Sequence, residues 1–198
     1  MNKPLILASA SAGRAMILRD VGFVFEQIAS DVDEHALKQE AADAGKSLNQ
    51  TALALAHAKA KKISSTRPGL VIGADQILGL EGQGFDKPTS RDEAHQRLML
   101  FSGKTHHLHT GIVVYEEGVV VFEYVTAPAL TMRRFTNAQI SAYLEAAGPE
   151  VLATVGAYML EAHGSRLFSH IDGDYFSIIG LPLLPLVSFL RAPLGLEF

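Results

Sequence analysis

The alternation of apolar strand-like runs with helix-like segments in the first half of the chain constrains its fold most. The runs "LILA" (5–8) and "LVIGAD" (70–75) predict buried strands, and "FVFEQIAS" (23–30) predicts a further strand. Helical patterns lie between them, at 14–21, 34–44 and 48–63. The last of these begins with capping-box spacing, from Ser47 to Gln50. Such alternation is typical of α/β proteins, in which helices cover a sheet.

The second half of the chain changes from alternation to hairpins. "QILGLEGQGF" (76–85) predicts a hairpin that turns at Glu81-Gly82, and long antiparallel strands are expected at 104–116 and 118–134. The remaining predicted elements are helices opened by Ser90 and Thr136, a strand at 175–180 and a terminal helix. We therefore predict an α/β fold with a mixed sheet flanked by helices, and a single domain over residues 1–198.

Composition and charge exclude several classes of protein. The chain has 198 residues, 48% of them hydrophobic, which is enough for one domain or for two lobes that share a sheet. The net charge is −4 and no basic run is longer than Lys61-Lys62, so we expect no nucleic-acid partner. The absence of cysteine excludes disulfides and thiolate metal sites, and it fits a cytoplasmic protein.

The apolar runs are too short for targeting or membrane insertion. The N-terminal run ends at Ala8, so we expect no signal peptide. The longest run, 178–190, is broken by Pro182 and Pro185, and a bilayer span needs about 20 apolar residues. We therefore expect a buried segment there and no membrane partner.

The segment "LILASASAGR" (5–14) ends a predicted strand with groups that bind anions. Ser9 and Ser11 are hydroxyl donors, Gly13 allows close approach of the backbone, and Arg14 can form a forked pair with phosphate. In α/β proteins, ligands collect at the carboxyl ends of strands. The alternative is that Ser11 only caps a helix and that Arg14 is solvated.

Two lysines are further candidates for binding an anion. On a helical wheel, Lys59 shares a stripe with Leu55 and Ala56, so it either extends its ammonium group to water or faces a cleft that holds an anion. Lys87 precedes Pro88 in a loop after the Gly-rich hairpin, a place where most lysines are simply solvated.

Asp75 places a carboxylate at the predicted end of an apolar strand. An isolated buried aspartate would be costly, so we expect it to be wet, paired or bound to a metal. Mg²⁺ is often held by one or two carboxylates together with substrate phosphates. Nearby acidic candidates in the sequence are Asp31, Asp33 and Glu34.

Three histidines in one predicted strand resemble a metal cluster but do not have its geometry. In a strand, His107 and His109 share a face while His106 points away. No fourth ligand has suitable spacing, so surface histidines are the preferred interpretation.

Taken together, eight segments resemble the Maf family of nucleoside triphosphate pyrophosphatases over essentially the whole chain. In order they are "LILASASAGR", "SDVDE", "AHAKAKKI", "VIGADQ", "DKP", "LFSGKTH…TGI", "VGAYMLE" and "IDGDYFSIIGLPL". The resemblance implies a two-lobed, ITPase-like α/β structure with an elongated mixed sheet and a central cleft. It also implies hydrolysis of a nucleoside triphosphate to the monophosphate and pyrophosphate with Mg²⁺ or Mn²⁺, in a cytoplasmic protein that is often a homodimer.

The same resemblance assigns roles to individual residues. The residues that match phosphate-binding positions of the family are Ser9, Arg14, Lys59 and Lys87. Asp75 matches the proposed proton acceptor, and Asp33 lies where the family has an acidic residue near the metal. With Asp75, Asp33 is therefore a candidate metal ligand.

Three positions depart from the commonest family pattern and bear on base preference. Gly13 replaces one of two adjacent arginines, Gln76 replaces a threonine, and Glu161 replaces a glutamine. Gln76 and Glu161 resemble the branch that acts on 7-methyl-GTP more than the dTTP/UTP branch. An enzyme that removes inosine or modified pyrimidine triphosphates, and a non-catalytic nucleotide-binding regulator of cell division, are the alternatives.

Overall fold

The computed structural model describes residues 3–195, and this part of the chain contains eight strands and seven α-helices. The strands are β1 (Leu5–Leu7), β2 (Glu26–Gln27), β3 (Leu70–Leu80), β4 (Gln83–Phe85), β5 (Thr105–Glu116), β6 (Val119–Thr126), β7 (Ala129–Met132) and β8 (Phe168–Asp172). The helices are α1 (Ala12–Asp20), α2 (Glu34–Asp43), α3 (Leu48–Ser64), α4 (Arg91–Phe101), α5 (Asn137–Ala147), α6 (Tyr175–Ile179) and α7 (Leu183–Leu194). None of the helices in the described range is long and apolar enough to cross a membrane.

The strands form one mixed sheet, which confirms the predicted fold class. Its main path runs β2-β1-β3-β5-β7-β8, with β4 paired to β3 and β6 paired to β5. β1 is parallel to both β2 and β3, whereas β4, β6, β7 and β8 join the sheet by antiparallel pairing. The early alternation thus gives the parallel part and the later hairpins give the antiparallel part.

The chain divides into two compact units. The described residues of the first are 3–76, 109–126 and 175–195, and they include β1, β2, β6, α1, α2, α3, α6 and α7. The second comprises 77–108 and 127–174, with β4, β7, β8, α4 and α5.

In the first unit, both faces of the central strands are buried. Leu5 and Leu7 of β1 pack in one apolar cluster, which includes residues of α1 and α7. Ile6 and Ala8 point to the opposite face and pack with Ala56 of α3. Because successive strand residues point to opposite faces, burial on both sides requires an uninterrupted apolar run, as "LILA" has.

Four predicted elements differ from those observed. β3 continues five residues beyond Asp75, and residues 175–180 begin with helix α6 instead of forming a strand. The strand predicted at 118–134 is interrupted between β6 and β7, where Pro128 lies. Sheet pairing in "FVFEQIAS" (23–30) is limited to the two residues of β2. β8 was not predicted, and it lies just before α6.

Candidate active site

The first unit contains a buried ion pair between Lys59 and Asp75. Lys59 lies on the sheet-facing side of α3, Asp75 lies within β3, and the two residues are 6% and 5% exposed. The Lys59 Nζ atom donates a hydrogen bond to Asp75 Oδ1 at 2.5 Å. Each charge is therefore compensated by the other, and Lys59 does not extend to solvent. Removing one member of such a pair leaves an uncompensated buried charge.

A second carboxylate shares the same lysine. Glu34, the first residue of α2, places its Oε1 atom 2.7 Å from Lys59 Nζ. Burial alone would raise the pKa of Glu34, but the hydrogen bond and charge of Lys59, together with the charges of Lys38 and Arg14, hold the pKa below its usual value. One ammonium group thus joins Glu34 to Asp75.

Arg14 is buried beside this cluster and is bound by the protein itself. Its Nη1 atom donates to the Ala74 carbonyl at 2.8 Å and to Ser9 Oγ at 3.1 Å, and its Nε atom donates to the Gly180 carbonyl at 2.9 Å. Burial lowers the pKa of Arg14, and the negative charges of Asp75 and Glu34 oppose this shift. Arg14 is therefore a fixed cation rather than a solvated one.

The other two residues of the opening segment have local roles. Ser11 caps α1, since its Oγ accepts the Arg14 backbone N–H at 3.4 Å. Gly13 is closely packed, because a Cβ atom there would lie 3.3 Å from Ile179 Cγ2. An arginine at position 13, as in the commonest family pattern, would require Ile179 to move.

Gln76 follows Asp75 and is held by neighbouring elements. Its Nε2 atom donates to Thr110 Oγ1 and to the Ser177 carbonyl, both at 2.9 Å, and to the Ile178 carbonyl at 3.3 Å. The opposite amide orientation would direct an oxygen at two carbonyls, so the network fixes the positions of the amide nitrogen and the amide oxygen of Gln76. Thr110 and Ser177 could not be predicted as partners of Gln76, because they lie 34 and 101 residues from it along the chain.

Lys87 and Glu161 lie in the second unit. Both are exposed, Lys87 between β4 and α4 and Glu161 after α5. Glu161 is close enough to Tyr143 for its charge to act on that phenol. Burial, and then the charge of Glu161, raise the pKa of Tyr143.

The carboxylates of the first unit fit a hard cation in part. Asp33 Oδ1 accepts the Ala36 backbone N–H at 2.9 Å and so caps α2, while Glu34 and Asp75 meet at Lys59. Within residues 3–195 there is no group of three or more His, Cys, Asp or Glu side chains that could hold a metal ion. The donor set therefore suits Mg²⁺ or Mn²⁺ only if substrate phosphates and water supply the remaining ligands.

His106 corrects one sequence interpretation. It is fully buried rather than on the surface, with its Nε2 atom 2.7 Å from Tyr158 Oη and its ring stacked on Phe101. His107 is exposed on the opposite face of the strand, as the alternation predicts.

Fold and site together define an α/β protein with an ionic cluster of two buried cations, one buried carboxylate and one half-exposed carboxylate. The family described as Maf-like protein matches residues 4–193. A protein of Hyphomonas neptunium named nucleoside triphosphate pyrophosphatase is 42% identical over 191 residues, which cover 96% of each chain. Proteins of the same name from Nitrobacter hamburgensis and Bradyrhizobium diazoefficiens are each 46% identical, over 96% of this chain and 94% and 93% of their own. The chain belongs to the Maf-like family, as the sequence segments indicated.

Proposed function

We propose that this protein is a nucleoside triphosphate pyrophosphatase that releases a nucleoside monophosphate and pyrophosphate. Relatives of that name align with nearly the whole chain. The structural observation that carries the proposal is the buried Lys59–Asp75 pair, with its 2.5 Å contact, next to the fixed guanidinium of Arg14. Such a cluster offers cations for phosphate oxygens and a carboxylate for a proton in one place.

Each residue then has a definite task. Water attacks the α phosphorus, and Asp75 accepts its proton. Lys59 and Arg14 stabilise the negative charge that develops on the phosphate oxygens, and Ser9 holds Arg14 in position through the 3.1 Å bond to its Oγ. Lys87 supplies a further cation for the polyphosphate.

A divalent cation is part of the proposal. Asp75 and Glu34 would hold it, and Asp33 is a further ligand if it gives up the backbone N–H of Ala36. When bound, Mg²⁺ or Mn²⁺ would neutralise phosphate oxygens and lower the pKa of a bound water. The need for it follows from charge, because Lys59 is already shared by two carboxylates.

The base preference we propose is for a ring that presents hydrogen-bond donors, such as guanine or 7-methylguanine. The amide nitrogen of Gln76 is engaged by Thr110 and by two carbonyls, so its oxygen is the atom it can offer a base. An ionised Glu161 likewise only accepts hydrogen bonds. Glu161→Gln should lower the ratio of kcat/KM for 7-methyl-GTP to that for UTP about tenfold. An unchanged ratio would contradict a role for Glu161 in base reading.

The activity is tested by product analysis. The purified chain with Mg²⁺ and a panel of triphosphates should release pyrophosphate and monophosphate, and excess EDTA should stop the reaction. Asp75→Asn should reduce turnover at least a thousandfold while circular dichroism stays unchanged, because the substitution removes charge but little volume and Lys59 keeps its ion pair with Glu34. Turnover in EDTA would contradict the metal, and an active Asp75→Asn variant would contradict the role of Asp75.

Location and assembly are the last parts of the proposal. We propose a cytoplasmic protein because the chain has no cysteine and nucleoside triphosphates are intracellular substrates. A homodimer is proposed from the family resemblance, and sedimentation equilibrium would test it.

A further inference from the structure

Arg97 is a buried cation of the second unit that belongs to no predicted motif. It lies on α4, and its side chain is 6% exposed. Its Nη1 atom donates to two main-chain carbonyls, those of Val155, at 2.7 Å, and of Asp86. These carbonyls lie in two loops that are 69 positions apart in the sequence (155 minus 86). A single guanidinium group therefore joins two separate loops.

A carboxylate extends this connection along the first loop. Arg97 Nη2 donates to Glu93 Oε1 at 2.8 Å, and Glu93 Oε2 accepts both the backbone N–H and the hydroxyl of Thr89, at 2.8 and 2.9 Å. The guanidinium carbon also lies 5.5 Å from the centre of the Phe85 ring. Residues on both sides of Lys87 are thus fixed to Arg97, directly or through Glu93.

The second loop is fixed by other side chains as well. Thr154 Oγ1 accepts the Tyr158 backbone N–H at 3.1 Å, and His106 Nε2 lies 2.7 Å from Tyr158 Oη. Ala157 has a φ of 56°, a left-handed conformation that costs free energy for a residue with a Cβ atom. A strained turn of this kind persists only where the surrounding structure fixes it. The chain continues from this turn directly to Glu161.

We propose that Arg97 is a positioning residue that holds the loop of Lys87 and the loop of Glu161 in their working conformations. The inference rests on the proposed function, which uses Lys87 for phosphate and Glu161 for the base. The hydrogen bonds of Arg97 to the two loops end on main-chain carbonyls, so it acts through the backbone of each loop. A purely apolar residue at this position would fill space but would leave two carbonyls without their donor.

Burial supports this assignment. It lowers the pKa of Arg97, with the charges of Glu93 and Asp86 opposing the shift. A buried charge is often replaceable by an apolar residue at no cost in stability, so stability alone does not explain why a cation is used here. The forked geometry of the guanidinium group, which reaches several acceptors at once, explains why an arginine is used here.

Hydrogen exchange in the full chain tests the inference without reference to activity. Arg97→Met keeps the length of the side chain and removes its donors. We expect at least tenfold faster exchange at Thr89 in the first loop and at Ala157 and Tyr158 in the second. Arg91→Met is the matched control, because Arg91 lies on the same helix and pairs with Glu145 at 2.7 Å but is exposed. The control should change neither loop.

A second variant separates the two loops and guards against misfolding of the first. Glu93→Gln weakens the contacts of Glu93 with Thr89 and Arg97 but leaves the bond from Arg97 to the Val155 carbonyl, so exchange should accelerate at Thr89 and not at Tyr158. If Arg97→Met leaves both loops protected, or if Glu93→Gln changes both equally, the inference is wrong. The exchange test does not depend on activity. A chain that releases no pyrophosphate would overturn the proposed function but would leave the exchange test of Arg97 valid.

Kinetics then show whether the positioning matters for turnover. Arg97→Met should lower kcat/KM at least tenfold in the wild-type background and less than threefold in the Lys87→Ala background, because the residues act in series. Equal losses in both backgrounds would show that Arg97 does not act through Lys87 and would contradict that half of the proposal.

Discussion

At the scale of single residues, the site depends on how buried charges find partners. The spacing of Lys59 placed it on an apolar stripe of the predicted helix, but the sequence left open whether its ammonium group reached solvent or an anion. The structure shows that it meets Asp75 and Glu34. The partners could not be read from the sequence, because Lys59, Asp75 and Glu34 lie on three different elements whose proximity depends on the tertiary fold.

His106 gives a prediction about pH and stability. Burial, with a smaller contribution from His107, lowers the pKa of His106 to about 4, while an unfolded histidine titrates near 6.5. The unfolded state therefore binds more protons between these values, and the free energy of unfolding falls as pH decreases from about 6.5 to 4. The loss from this group should reach about 3 kcal/mol at pH 4.

The measurement compares urea unfolding at pH 7 and pH 4 for the wild type and His106→Gln. Glutamine can hydrogen-bond Tyr158 Oη but does not titrate, so the variant should lose about 3 kcal/mol less than the wild type on acidification. His35→Gln, which removes an exposed histidine, serves as the control. Equal acid losses in the wild type and His106→Gln would contradict the assignment of this pH dependence to His106.

At the scale of elements, close contact between α3 and the sheet sets the position of Lys59. A Cβ atom on Gly73 of β3 would collide with the Ala56 carbonyl of α3, and one on Gly111 of β5 would lie 2.7 Å from the Leu53 backbone. Neither obstacle is the end of a flexible side chain, so α3 itself would have to move. The two glycines therefore allow the helix to approach the strand that carries Asp75.

Gly73→Ala should accordingly affect stability and activity together. We expect a loss of roughly 2 kcal/mol in the free energy of unfolding, a decrease in Tm of about 6 °C, and lower kcat/KM at temperatures where the protein stays folded. Calorimetry and a steady-state assay on the same sample would measure these effects. A variant with wild-type Tm and kcat/KM would show that α3 is not restrained at this point.

Elements that depend on residues close in the sequence could be predicted, whereas those that depend on distant contacts could not. The capping boxes at Ser47 and Thr136 are both formed, because they depend only on residues within one turn. The wrong prediction at 175–180 concerned a short apolar run, and burial by itself does not distinguish a strand from a helix. The end of β3 was placed too early because Asp75 was read as a terminus, whereas Lys59 allows a carboxylate inside a buried strand.

At the scale of the whole molecule, the order of elements along the chain was enough to predict an α/β fold with a mixed sheet. Parallel pairing of β1 with β3 joins segments about 65 residues apart, and α3 covers one face between them. The position of β8 beside β7 could not be foreseen, because "FSHID" alternates weakly and pairing with distant strands leaves no local signal. Assignment of the chemistry depended on the combined segments and not on any one of them.

The measurement that tests the central claim most directly is hydrolysis in ¹⁸O-labelled water. If water attacks the α phosphorus beside Asp75 and Lys59, the nucleoside monophosphate should carry one ¹⁸O atom and the released pyrophosphate none. Mass spectrometry of both products decides this in a single reaction. Label in the pyrophosphate, or labelled orthophosphate as the first product, would place the attack at another phosphorus and contradict the proposed activity.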